Sequence, residues 1–229
     1  AIEAGQKKFT EAIDDERLIL KRENFDQLKN TVKTLQQQNL IDAIHGVLFD
    51  FGTTSDQLTS KKRGLSFQGE QEELDMRLDQ RLGVKAKDLL AVMPQGQLQQ
   101  VFSEFGGEHE AKTISQAIVE QRKAGQLITT VGELSTLVEK VKKHPPRHIH
   151  PATKVFQALR IAVNDELGNI ERALPQALKI LKPHGILVTI AFHQGEDRLA
   201  KNFFRDWEKK ERGQRINKNV ITAREEELA

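Results

Sequence analysis

Two short apolar runs constrain this chain more than any other feature. Ile44-His45-Gly46-Val47-Leu48-Phe49-Asp50-Phe51-Gly52 ends in an acid and a glycine, and Ile186-Leu187-Val188-Thr189-Ile190-Ala191-Phe192 ends at His193. Runs of this length, bounded by turn residues, read as strands buried in a parallel sheet. Ahead of the first run, residues 1–13 carry Ile2, Phe9 and Ile13 at the spacing of a short amphipathic helix. Arg17-Leu18-Ile19-Leu20-Lys21 reads as a short strand. Asn24 is placed to cap a helix over 26–38 with Leu28, Val32 and Leu35 on one face. Helix, strand, helix, strand is the alternation of a doubly wound α/β domain.

Between the two runs the pattern changes. Residues 53–80 are loop-like and charged. Residues 84–143 hold helical patterns at Ala86–Val92, Gly96–Phe105, Ala111–Lys123 and Val131–Lys143, the last capped by Thr129 or Thr130. Leu74–Asp79 alternates apolar and charged residues, as a short strand or as a loop with an Asp75–Arg77 contact. A Pro-rich linker, His144–Pro151, closes the stretch, which reads as a helical insertion between two α/β halves. The spacing then predicts a helical region over 152–181, broken near Gly168 or Pro175. A turn at Pro183-His184-Gly185, a helix from Asp197 to Arg212 and a last strand at Val220-Ile221-Thr222 follow.

Composition removes several function classes. With 35 basic and 33 acidic residues among 229, the chain is no general polycation, so a polyanion must be held by a local patch. Lys61-Lys62-Arg63 and Lys142-Lys143…Arg147 flank the insertion and would form such a patch if they meet; the alternative is ordinary solvated charge. Cysteine is absent, excluding disulfides, thiolate metal sites and cysteine nucleophiles. No apolar run approaches the roughly 20 residues that span a bilayer. There is no phosphate-cradling Gly-rich loop and no nucleophile elbow. The chain starts at Ala1 without a Met and stops in the middle of a pattern, so it is expected to be part of a longer protein.

The candidate chemistry lies at the strand ends, where open α/β sheets bind ligands. Asp50 is placed to meet a cofactor or a substrate amine, or else to cap loop N–H groups. Phe25, after the 17–21 segment, either covers an adenine ring or packs in the core. His193, with Glu196 and Asp197 opening a helix, lies beyond the other strand. His144, His148 and His150 have neither the spacing nor the neighbours of a metal site and read as a solvated basic linker; no metal is expected.

Together these segments resemble the RsmH (MraW) family of S-adenosylmethionine-dependent methyltransferases. His150-Pro151-Ala152-Thr153-Lys154-Val155-Phe156-Gln157-Ala158-Leu159-Arg160-Ile161-Ala162-Val163-Asn164-Asp165-Glu166-Leu167 is similar to the family signature HPATRTFQALRIAVNDEL. Asp50–Leu58 resembles DLGVSSPQL, Arg63–Phe67 resembles RGFSF, Leu74–Asp79 resembles LDMRMD, and Phe192–Arg198 resembles FHSLEDR. His45 stands where the family has Asp, Gln194-Gly195 replaces Ser-Leu, and the Gly-Pro before LDMR is missing.

The resemblance implies a Rossmann-like class I methyltransferase sheet interrupted by an all-helical substrate-recognition domain. The boundaries would be 1–78 and 152–229 for the discontinuous catalytic domain and 79–151 for the insertion. It implies that Phe25, Asp50 and Gln57 contact S-adenosylmethionine, with Asp50 also the candidate catalytic residue. Arg63, Arg77, Arg147, His150, Lys154, Arg160 and His193 are the candidates for RNA contact. The implied reaction is N4-methylation of a cytidine in the decoding centre of bacterial 16S rRNA. The implied partner is the small ribosomal subunit, the location cytoplasmic, and a homodimer is admitted. The family's donor loop, its first two strands and its C-terminal segment would lie outside this chain, leaving strands 17–21 and 44–49 without the ladder partners expected between them and the isolated chain unstable. The competing expectation is a non-catalytic RNA-binding or ribosome-assembly protein on a decayed methyltransferase scaffold.

Overall fold

The computed structural model describes residues 2–53, 63–67, 69–144 and 148–222. It holds both helices and a small sheet, and it divides into two compact units. Ala1–Phe49, Asn169–Ile190 and Leu199–Ala229 form the first; Asp50–Gly168 and Ala191–Arg198 form the second.

The first unit opens with two short helices, α1 (Ile2–Lys8) and α2 (Thr10–Asp14). Arg17–Lys21, expected as a strand, is bend and coil. A strand exists by pairing its N–H and C=O groups with a neighbour, and no described strand pairs with this segment. Asn24 caps as its spacing predicts, its Oδ1 accepting the Asp26 N–H at 3.2 Å. One 3₁₀ turn (Phe25–Gln27) then leads into α3 (Leu28–Gln37), which buries Val32 and Leu35, one turn apart.

Strand β1 (Ile44–Asp50) pairs with β2 (Leu181–Ile190) in a two-stranded parallel sheet. Both runs were expected to be buried on both faces. Instead Leu48, Ile186, Val188 and Ile190 are 43–63% exposed. Two strands alone cannot shield each other's faces, and β2 shows the alternating exposure of a half-covered strand. The expected turn at 183–185 is absorbed into β2, where His184 takes a left-handed φ of 67° and kinks the run.

The second unit carries α4 (Ala86–Val92), α5 (Gln95–Glu104), α6 (Ala111–Lys123), α7 (Val131–Val141) and α8 (Thr153–Asn164). Leu98, Phe102, Ile114, Leu134 and Leu159 are fully buried in one core. Thr130 starts α7 with a reciprocal capping box: its Oγ1 accepts the Glu133 N–H, and Glu133 Oε2 accepts the Thr130 N–H at 3.0 Å. Leu74–Asp79 is a loop rather than a strand. Leu74 and Met76 are buried and Asp75 pairs with Arg77 at 2.6 Å.

The long helical region does not break at Gly168 or Pro175. It breaks at Asp165, which takes a left-handed φ of 48° between α8 and α9 (Glu166–Ile180). Gly168 has a different purpose. A Cβ there would lie 2.3 Å from Asp165 Oδ1, so the glycine makes room for the carboxylate leaning over the first turn of α9. Pro175 stays inside α9 despite the lost hydrogen bond, because Ile170, Ala173, Leu174 and Ala177 around it are buried. The last helix, α10, runs Gln194–Lys209, three residues ahead of its expected start. Val220–Thr222 is coil, not a strand. Among the described residues no helix is long and apolar enough to cross a membrane.

Candidate active site in the turns after the strands

In the first unit, the turn carrying Phe25 is latched to α9 by polar contacts. Asn24 Nδ2 donates to Asn169 Oδ1 at 3.1 Å, and Arg172 Nε donates to Asp26 Oδ2 at 3.0 Å. Arg172 Nη2 also reaches Asn169 Oδ1, at 2.6 Å. Gln176 takes the Asp26 carbonyl through Nε2 and the Lys29 N–H through Oε1, the latter at 2.9 Å. Five side chains thus fix one turn, and Phe25 sits on it with its ring 5.8 Å from that of Phe49 and 38% of its surface open. Asn169, Arg172 and Gln176 went unnoticed in the sequence. Their i, i+3 and i+7 spacing on an amphipathic helix looks like an ordinary polar face, and nothing local reveals a partner some 150 positions away.

In the second unit, Asp50 closes β1 with its side chain exposed, and no described residue holds its carboxylate. Phe51 is buried and anchors the strand end. Gly52 then turns the chain at a φ of +95°, a conformation that strains any residue with a Cβ. The same missing Cβ matters for packing: one built there would lie 3.0 Å from the Phe192 ring and 3.8 Å from Glu196 Oε1. The turn after β1 therefore lies directly against the turn after β2.

Two further groups lock these turns. Arg160, on α8, forks onto Glu166 at the start of α9, with Nε to Oε1 at 2.9 Å and Nη2 to Oε2 at 3.1 Å. Its remaining Nη1 donates to Thr53 Oγ1 at 3.3 Å. In the other turn, Glu196 Oε2 accepts the N–H groups of Phe192 at 2.8 Å and His193 at 3.3 Å. Burial pushes the Glu166 carboxyl above its ordinary range, and the Arg160 charge offsets only part of that. Burial works the same way on Glu196. There the neighbouring His193 ring and the two backbone donors outweigh it and hold the carboxyl below the ordinary range.

Glu166, His193 and Glu196 bring ligand-type atoms within 4.8 Å of one another, a grouping that resembles a metal site. Some of these atoms are already engaged. Both Glu166 oxygens take the Arg160 fork, and His193 Nδ1 accepts the Gly195 N–H at 3.1 Å. A neutral ring that accepts at Nδ1 carries its proton on Nε2, where a metal would have to bind. That Nε2 lies 3.2 Å from Glu196 Oε1 but off the line of a hydrogen bond, so it is a buried donor left unsatisfied.

The other residues singled out in the sequence lie as follows. Gln57, Lys61, Lys62 and Arg147 fall outside the described residues. Arg63 Nη1 donates to the Leu78 carbonyl at 3.0 Å, and Arg77 spans Asp75 and the Leu82 carbonyl. His150 stacks on Phe67 at 4.3 Å and pairs with Glu139 at 2.9 Å, while Lys154 donates to the Gly107 carbonyl. Lys142, read as part of a basic patch, is buried in a 2.7 Å pair with Glu108 and also donates to the Pro151 carbonyl. These cations staple loops of their own unit. The sequence shows a charge but not the carbonyl or carboxylate waiting for it.

A family model described as the MraW methylase family matches residues 1–229. Among curated relatives, the ribosomal RNA small subunit methyltransferase H of Leptospira borgpetersenii serovar Hardjo-bovis (strain JB197) is 38% identical over 93% of this chain and 66% of its own length. That of Sulfurihydrogenibium azorense is 40% identical over 93% of this chain and 71% of its own. That of Carboxydothermus hydrogenoformans is 40% identical over 83% and 60%. The chain thus spans about two thirds or less of most of these relatives, 63–66% of the Leptospira proteins. With the match running from its first residue to its last, the chain belongs to the MraW methylase family.

Proposed function

We propose that this chain is the greater part of an S-adenosylmethionine-dependent methyltransferase that acts on the exocyclic N4 of a cytidine in the decoding centre of 16S rRNA, in the cytoplasm. The observation that carries the reading is Asp50. It is an exposed acceptor at the carboxyl end of a strand, on a turn held rigid on its far side, in a chain of the methylase family. The helices within 79–151 would then be the substrate-recognition insertion and 1–78 with 152–229 the catalytic domain.

The residues present suit the methyl donor. Phe25 is 38% exposed on a latched turn, a placement that suits an adenine ring. Asp50 offers free carboxylate oxygens for the donor's hydrogen-bonding groups. When bound, S-adenosylmethionine supplies an electrophilic methyl group on a sulfonium. The chain's task is positional. The cytidine amine is a weak nucleophile because its lone pair is delocalised into the ring. Asp50, or a carbonyl of the 50–53 turn, would accept one amine N–H and turn the lone pair toward the methyl; of the two only the Asp50 carboxylate can take the proton as the N–CH3 bond forms and the S–CH3 bond breaks, its electron pair staying on sulfur. The target base leaves its stack to reach the turn, as in other enzymes that modify bases.

The test is methyl transfer from labelled donor to small ribosomal subunits that lack the modification. Asp50→Ala should abolish transfer, by at least a factor of 100, with unchanged circular dichroism. Wild-type turnover by that variant would remove Asp50 from the mechanism. Donor binding by the intact protein without transfer to any small-subunit RNA would favour the decayed scaffold.

A further inference from the structure

We propose that the Arg160–Glu166 fork is a positioning element: it holds the turn after β1 in the geometry that presents Asp50 to the amine. The proposal rests on the methyl-transfer reading above and adds two residues that need not touch donor or base. Arg160 and Glu166 are mostly buried, with side chains 13% and 10% exposed, and the salt bridge is bidentate. An ion pair this buried gives little net stability over an apolar replacement. What it provides is direction, because a guanidinium fixed by two parallel bonds has its three other N–H groups, including one on Nη1, aimed in set directions. Here that N–H meets Thr53 Oγ1, three residues beyond Asp50. The opposite side of the turn is set by Gly52 against Phe192 and Glu196, and Glu196 in turn holds the Phe192 and His193 N–H groups. The turn is therefore fixed from two directions, and the fork is the one that acts through a side chain of the turn itself. Arg160 was a candidate for RNA contact on sequence grounds; its Nε, Nη1 and Nη2 each donate one bond to Glu166 or Thr53.

Arg160→Lys keeps the charge but cannot bind Glu166 through two bonds and reach Thr53 together. Glu166→Gln keeps the shape but removes one acceptor. In the intact protein, each variant should lower kcat by roughly 10- to 100-fold, the cost of a small misplacement near the reacting atoms. KM for donor and for the ribosomal subunit should change less than threefold. Thr53→Ser retains the hydroxyl and should stay within a factor of two of wild type, whereas Thr53→Val should fall with the fork variants. Hydrogen exchange of the Phe51–Thr53 amides should quicken in Arg160→Lys and Glu166→Gln and not in Thr53→Ser.

Unchanged exchange, or wild-type kcat in both fork variants, overturns the proposal. A proportional loss of donor binding, RNA binding and kcat also overturns it, since that is the signature of a general structural role. If the wild type transfers no methyl group while the fork variants still loosen the Phe51–Thr53 amides, the methyl-transfer reading fails and the positioning of the turn stands.

Discussion

At the scale of single residues, the site depends on positions where a side chain is missing as much as on those where one is present. Gly52 combines a φ of +95° with close contact to Phe192. Gly52→Ala is expected to cost about 1–3 kcal/mol in stability and to reduce methyl transfer, because the turn must open to relieve either strain. Denaturant unfolding followed alongside activity checks both; an unchanged midpoint would show that the turn has slack. Asp50 was legible in the sequence because an acid ending an apolar run is a pattern in itself. The fork was not, since Arg160, Thr53 and Glu166 form a set only when chain segments more than a hundred positions apart are folded together.

At the scale of elements, α9 shows how one helix can serve two local purposes. Its start carries Glu166, and its next turns carry Asn169, Arg172 and Gln176, which latch the Phe25 turn. Removing the latch should loosen the aromatic platform without touching β1. Arg172→Ala is expected to weaken donor binding about 10- to 100-fold, in line with the roughly 1.5–3 kcal/mol that hydrogen bonds to charged groups contribute. Isothermal titration with the donor or its demethylated product measures this, and unchanged affinity would separate the Phe25 turn from donor binding. The sequence marked most helices, α4 and α6 to the residue, because apolar periodicity and the Thr130–Glu133 box are local signals. It misplaced the α8–α9 break because a glycine and a proline are the usual breakers. Here an aspartate takes the left-handed position, and the glycine only accommodates its carboxylate. Strand 17–21 failed for another reason: a strand is a property of a pair, and residue composition does not reveal whether a partner lies alongside.

At the scale of the whole molecule, the carboxylates set the response to acid. Glu73, held by Lys85 and Lys87, and Asp75, held by Arg77, lie below their ordinary range. So do Glu110, which accepts the Lys143 and His144 N–H groups, and Glu133, which accepts those of Thr129 and Thr130. A depressed carboxyl contributes stability that is present above its unfolded pKa, about 4.3 for Glu, and lost as pH falls through the folded value. Glu166 has the opposite sign: its contribution is present below the unfolded pKa and lost as pH rises through the raised one. With Glu196 also depressed, five groups against one predicts that the helical unit loses stability on acidification below about pH 4–5, and that Glu133→Gln flattens this limb. Thermal unfolding at a series of pH values tests it; an unchanged acid slope in Glu133→Gln would contradict the assignment.

The role proposed for the turn after β1 is to present one cytidine amine of the small-subunit RNA to the methyl donor. The most direct measurement is mass spectrometry of 16S rRNA nucleosides and fragments after incubation of unmodified small subunits with the intact protein and isotopically labelled S-adenosylmethionine. Labelled N4-methylcytidine is expected in a single decoding-centre fragment, and none with Asp50→Ala. Label on another base, label spread over many fragments, or no label with an intact donor-binding protein would contradict that role.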